Sequence, residues 1–105
     1  MTANWNAFET AASRDADARI VDQFAADPQR VARMSVEAAG LYVDLSKQSW
    51  TADGFAACLE LARSAGVEAA RGRLFGGEAI NSTEGRAVLH PALRAAKASR
   101  LRRAF

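Results

Sequence analysis

The chain carries one cysteine, one histidine, one tyrosine and two prolines in 105 residues, and no acidic residue follows Glu84. Cys58 alone cannot close an intramolecular disulfide, and a chain without a disulfide framework fits a reducing compartment, so a cytoplasmic location is expected. His90 alone, with neither an HExxH segment nor a CxxC pair, leaves the common zinc patterns unfilled. No apolar run approaches the roughly 18 residues that a membrane helix needs. The first residues lack the basic-then-apolar order of a secretory signal. No metal, cofactor or membrane partner is therefore expected.

Large apolar side chains are also scarce. Half of the residues count as hydrophobic, but 25 of them are Ala, while Leu, Ile, Val and Phe total 21, or 20% of the chain. At that proportion a chain is near the limit at which burial offsets ordering entropy. Each fully buried large side chain contributes about 1.5–3 kcal/mol, and Ala far less. The length allows one small domain or a piece of a larger one, thinly stable by itself.

The formal charge of +2 hides an asymmetry. Residues 1–84 hold all 12 acidic residues against 8 basic ones, whereas residues 85–105 hold Arg86, Arg94, Lys97, Arg100, Arg102 and Arg103 and no acid. A basic end could meet nucleic acid or an anionic surface. A solvated tail accounts for the same residues, and nucleic acid is not an expected partner.

Local signals predict a mostly helical chain with one small β-hairpin. Trp5, Phe8 and Ala12, then Ile20, Val21 and Phe24, recur at helical spacing, with the polar run Ser13 to Asp17 as a break between them. Asp27-Pro28 is a helix start, with a short helix carrying Val31 and Met34 to follow. Met34, Val36 and Ala38, then Leu41, Val43 and Leu45, alternate in the manner of strands, and Ala39-Gly40 between them offers the turn. Thr51 caps the next helix, with Asp53 in its first turn and Phe55, Cys58, Leu59 and Ala62 on one stripe. Gly66 ends that helix, and another from about Val67 to Phe75 stops at Gly76-Gly77. Asn81 and Glu84 stand at capping-box spacing, predicting a helix that carries Val88, Leu89 and Leu93 and bends at Pro91.

The chemistry-bearing residues do not assemble into a site in sequence. Cys58 lies in an apolar stripe, where a thiol is inert. Gly72, Gly76 and Gly77 form no GxGxxG and follow no strand. Asn81-Ser82-Thr83 at a helix start could bind an anion, but self-capping uses the same groups. The same triplet matches a glycosylation acceptor by letter only. Glu78 and Glu84 could in principle act as an acid/base pair, yet nothing near them would perturb a pKa. No catalytic, cofactor-binding or metal residue is assigned.

One long resemblance remains. Gly77 to Arg94 reads GEAINSTEGRAVLHPALR, and Phe24 to Pro28 with Arg30 reads FAADPxR. Arg33 to Ala38 and Leu41 to Lys47 form a hairpin-like RMSVEA…LYVDLSK, and Gly66 to Arg71 reads GVEAAR ahead of Phe75. Together with Trp5, these segments resemble, in order and spacing, the N-terminal part of the glucose-6-phosphate isomerase (phosphoglucose isomerase) family. The resemblance covers residues 1–94, from about residue 4; residues 95–105 are read as a basic tail outside the family pattern, the product of truncation or a frameshift. Leu45, Gln48 and Ala79 depart from the family's Tyr, Asn and Lys.

The resemblance implies an N-terminal piece of an α/β/α, sugar isomerase-like fold. It further implies a cytosolic homodimer of glycolysis and gluconeogenesis that interconverts glucose 6-phosphate and fructose 6-phosphate without a cofactor. In that family a Glu moves the proton through an enediolate, a His and a Lys open the ring, an Arg steadies the intermediate, and Ser/Thr-rich loops hold the phosphate. All of these lie beyond the resembling span, so the chain alone is expected to be inactive. The alternative is a small helical binding module with a basic tail for an anionic partner.

Overall fold

The computed structural model describes residues 3–95; the basic segment from residue 96 onward, with Lys97, Arg100, Arg102 and Arg103, lies outside the described residues. The element order is α1 (Trp5–Asp15), α2 (Ile20–Ala26), α3 (Arg30–Arg33), β1 (Ser35–Ala38), β2 (Leu41–Asp44), α4 (Ala52–Ser64), α5 (Val67–Gly76) and α6 (His90–Arg94). The chain divides into two compact units, at the boundary between Ala62 and Arg63.

In the first unit, Trp5 and Phe8 stand one turn apart on α1 and meet edge to face, with ring centroids 6.1 Å apart. The break expected at Ser13 to Asp17 falls later, at residues 16–19, because Ser13, Arg14 and Asp15 remain in α1. Helix α2 ends where Asp27 turns extended, at φ −136° and ψ 95°, the conformation a following proline imposes. Asp27 Oδ1 accepts the Gln29 N–H at 2.9 Å in a turn ahead of α3, whose N-cap is Gln29 and not the expected Asp27.

Strands β1 and β2 pair antiparallel, with Val36 opposite Val43 and Ala38 opposite Leu41. The two turn residues both adopt left-handed backbone, Ala39 at φ 53° and Gly40 at φ 75°. That is the geometry a two-residue hairpin turn requires to match strand twist. The Leu45 N–H donates to the Met34 carbonyl at 2.8 Å and extends the pairing by one rung. Directly opposed residues share a face, so Val36, Ala38, Leu41 and Val43 make one apolar face. It is uncovered: Leu41 is 65% exposed and Val36 53%.

The second unit contains α5 and α6. Helix α5 starts after Gly66 (φ 74°) and ends at Gly77 (φ 79°). The N–H groups of Gly77 and Glu78 return to the carbonyls of Leu74 and Arg73, which satisfies the last turn.

A helix beginning at Asn81 does not form, which corrects the sequence expectation. The capping contact itself is present, with the Glu84 N–H donating to Asn81 Oδ1 at 3.2 Å. However, Gly85 takes φ 64° and the Gly85 N–H closes onto the Asn81 carbonyl at 2.7 Å. The chain therefore turns back, bridges Asn81 to Arg86, and becomes helical only at His90. A left-handed residue cannot continue a right-handed helix, so the glycine overrides the cap signal.

Burial is unusual in kind. Among the described residues the buried apolar side chains are Ala11 and Met34, whereas Asp15, Arg30 and Ser46 are buried polar or charged ones. The interior is organised by hydrogen bonds as much as by apolar packing.

Candidate functional site

The most constrained constellation lies where α1, α3 and the segment leading into α4 meet. Thr51 is the N-cap of α4, its hydroxyl oxygen accepting the Gly54 N–H at 3.1 Å. Asp15, at the end of α1 and 36 positions away in sequence, holds Thr51 in turn. It accepts the Thr51 N–H at 3.0 Å and the Thr51 hydroxyl at 2.9 Å. The Arg14 Nε–H donates to Asp15 Oδ1 at 3.1 Å. Burial pushes the Asp15 carboxyl up, but the hydrogen bonds from Thr51 and Arg14 outweigh it, so its pKa falls below the ordinary value. The positive end of α4 favours the same ionised state.

Arg30 forms the second node. Its Nε–H donates to the Ser46 carbonyl and its Nη2 to the Gln48 carbonyl, both at 2.8 Å. The guanidinium lies 5.7 Å from the centroid of the Phe24 ring. A buried cation thus fastens the loop after β2 through main-chain carbonyls. That loop is also shaped by Asp44, which accepts the Ser46 N–H and the Lys47 ammonium, each at 2.7 Å. The Lys47 contact, then those of Ser46, hold the Asp44 carboxyl well below the usual carboxylate range.

Between these nodes opens a cleft of about 260 Å³, lined by Gln23, Ala26, Asp27, Arg33, Met34 and Phe55 among others. Phe55 packs against Trp50 with ring centroids 5.6 Å apart. Arg33 Nε pairs with Asp27 Oδ2 at 3.1 Å on the cleft wall.

The sequence candidates are not brought together. Cys58 is half-buried on α4 and unbridged. His90 is exposed at the start of α6, and Glu78 is exposed in the loop after α5. Glu84 is engaged by Asn81 and by an ion pair with Arg86. Among the described residues no group of three His, Cys, Asp or Glu side chains is placed to hold a metal. No described helix is long and apolar enough to cross a membrane. Asp15 and Arg30, the buried charges among the described residues, escaped the sequence reading. Their only signals were a lone acid at a helix end and an Arg after Asp-Pro, patterns equally common on solvated surfaces.

In this arrangement Asp15 and Arg30 direct their hydrogen bonds to Thr51 and to the Ser46 and Gln48 carbonyls, and so position backbone. Comparison with known proteins places it in context. The family model for phosphoglucose isomerase matches residues 44–103, a span that takes in residues 95–103 of the basic segment. A glucose-6-phosphate isomerase of Caulobacter sp. (strain K31) is 55% identical over 97 residues, 92% of this chain and 18% of the relative. Those of Deinococcus radiodurans and Anaeromyxobacter dehalogenans are 48% and 41% identical, over 87% and 95% of this chain. The chain spans about 18% of the length of the curated relatives it matches. With more than half of its residues inside the family model and the same name on each of these relatives, the chain belongs to the phosphoglucose isomerase family.

Proposed function

We propose that this chain is scaffold of a glucose-6-phosphate isomerase, contributing a framework on which the sugar-phosphate chemistry of the larger protein depends and supplying none of the reacting groups. The observation that carries this reading is the pairing of strong identity with small coverage. The relatives named for the activity agree with the chain at 41–55% of aligned positions, yet the aligned part is 18% of their length. The chemistry of the described residues fits. Proton transfer between adjacent carbons needs a positioned base, which contributes typically about 10²–10⁴-fold, together with fixed donors for the developing charge. The buried Asp15 is committed to Thr51 and the buried Arg30 to two carbonyls.

In the complete protein this segment would belong to an α/β/α sugar isomerase-like fold in a cytoplasmic homodimer acting on glucose 6-phosphate and fructose 6-phosphate. Two measurements test the reading. The purified 105-residue chain should show no turnover of fructose 6-phosphate in a coupled assay. A chimera in which this chain replaces the aligned span of the Caulobacter sp. (strain K31) relative should turn it over. Activity in the chain alone, or a folded but inactive chimera, would overturn it.

A further inference from the structure

The cleft in the first unit carries more positive charge than its own acid answers. Arg30 and Arg33 both line it, and Asp27 is the acidic residue of the lining. Both Asp27 oxygens are engaged, Oδ1 by the Gln29 N–H at 2.9 Å and Oδ2 by Arg33 Nε at 3.1 Å. Arg30 directs Nε and Nη2 to the Ser46 and Gln48 carbonyls, which bear no formal charge. The lining is therefore left with one positive charge in excess.

Arg33 is the accessible cation. Its side chain is 67% exposed, and among the described residues its pairing runs through the Nε edge, to Asp27. A guanidinium presents a second edge, Nη1 with Nη2, that matches a carboxylate just as well. Asp27 holds the first edge and so fixes how the second is presented, which lowers the ordering cost of binding there.

Beside this edge the wall is apolar, formed by Ala26, Met34, Ala52 and Phe55. The volume of about 260 Å³ exceeds the roughly 150 Å³ that accommodates benzene, so a ring with a short acid chain fits. A polyhydroxylated ligand is disfavoured, because the Thr51 hydroxyl is committed to Asp15 and Gly54, and polar groups set against the apolar wall would lose their hydration.

We propose that this cleft binds a small organic carboxylate with an apolar, ring-sized body, its carboxylate on the Nη edge of Arg33 and its body against Met34, Ala52 and Phe55.

The test titrates the isotopically labelled 105-residue chain with phenylpropionate, with its neutral amide phenylpropanamide and with inorganic phosphate. Phenylpropionate should give saturable shifts at the Ala52 and Phe55 amides and at the Arg33 Nε–H. It should bind at least about tenfold more tightly than the amide, through charge-assisted pairing. Arg33→Gln should bring acid and amide to equal affinity. Ala52→Leu, at the exposed first position of α4 where leucine suits a helix, should occupy the cleft and weaken binding by about tenfold. Equal binding of acid and amide by the unsubstituted chain overturns the role of the guanidinium. Phosphate binding as tight as that of phenylpropionate overturns the role of the apolar wall. The absence of saturable shifts, or undiminished binding in Ala52→Leu, overturns the site altogether.

Discussion

A Cβ atom on Gly54 would overlap the Asp15 carboxylate and would stand 3.4 Å from Thr51 Oγ1. The missing side chain on α4 is what allows the carboxylate from α1 to settle against the N-terminus of α4. Glycine serves here by absence of volume, since its backbone is ordinary right-handed helix.

Gly54→Ala tests this by inverting a general rule. In a helix interior the change normally stabilises by about 1 kcal/mol. Here it displaces Asp15, strips Thr51 of its partner and weakens the cap, so a net loss of about 2 kcal/mol is expected. The urea midpoint should fall, and a rise would show that the carboxylate does not sit where the structure puts it.

Acid should loosen the same joint. In the folded chain the Asp15 and Asp44 carboxyls are both held below the ordinary aspartate value of 3.8. A lowered folded pKa means that the ionised form is favoured on folding, so this stability is fully present above the unfolded value. It is lost as pH falls below about 3.8 and through the lower folded values. Unfolding midpoints should be flat at neutral pH and drop below pH 4, with a shallower drop in Asp15→Asn. A midpoint indifferent to acid would contradict the ionised latch.

Arg30→Lys should not rescue the loop after β2. A lysine ammonium cannot present two N–H groups in the planar fork that reaches both the Ser46 and Gln48 carbonyls while keeping the guanidinium's place over Phe24. About 2–3 kcal/mol of destabilisation is expected, from charge-assisted bonds lost to buried carbonyls. Faster amide exchange across residues 45–50 is the local readout, and unchanged exchange there would refute the role.

Ala39→Asn should stabilise the hairpin. Alanine at φ 53° bears the steric cost of left-handed backbone, about 1–2 kcal/mol, which asparagine tolerates better. A gain of roughly 0.5–1 kcal/mol in the urea midpoint free energy is expected, and a loss would mean that the turn has another geometry.

Much of the local structure was legible because its causes are local. The hairpin turn at Ala39-Gly40, the Thr51 cap and the stops at Gly66 and Gly77 follow from steric freedom and side-chain reach within four residues. The failure at Asn81 is equally physical. Its capping partner is present, but Gly85 takes the left-handed conformation one residue later and turns the chain away from helix. A short-range cap signal states what can begin, whereas continuation depends on every later residue.

By themselves the residues determined a helical chain with one hairpin, and through the order of their segments a membership among isomerases, since propensity and motif spacing are written along one dimension. Tertiary structure alone decided that an acid from a polar break and an arginine after Asp-Pro become buried anchors. It also decided that the Gln23 amide is buried without a partner. Whether a charge is buried depends on which distant carbonyls and hydroxyls fold around it, and no linear pattern encodes the thirty-six-residue reach from Asp15 to Thr51.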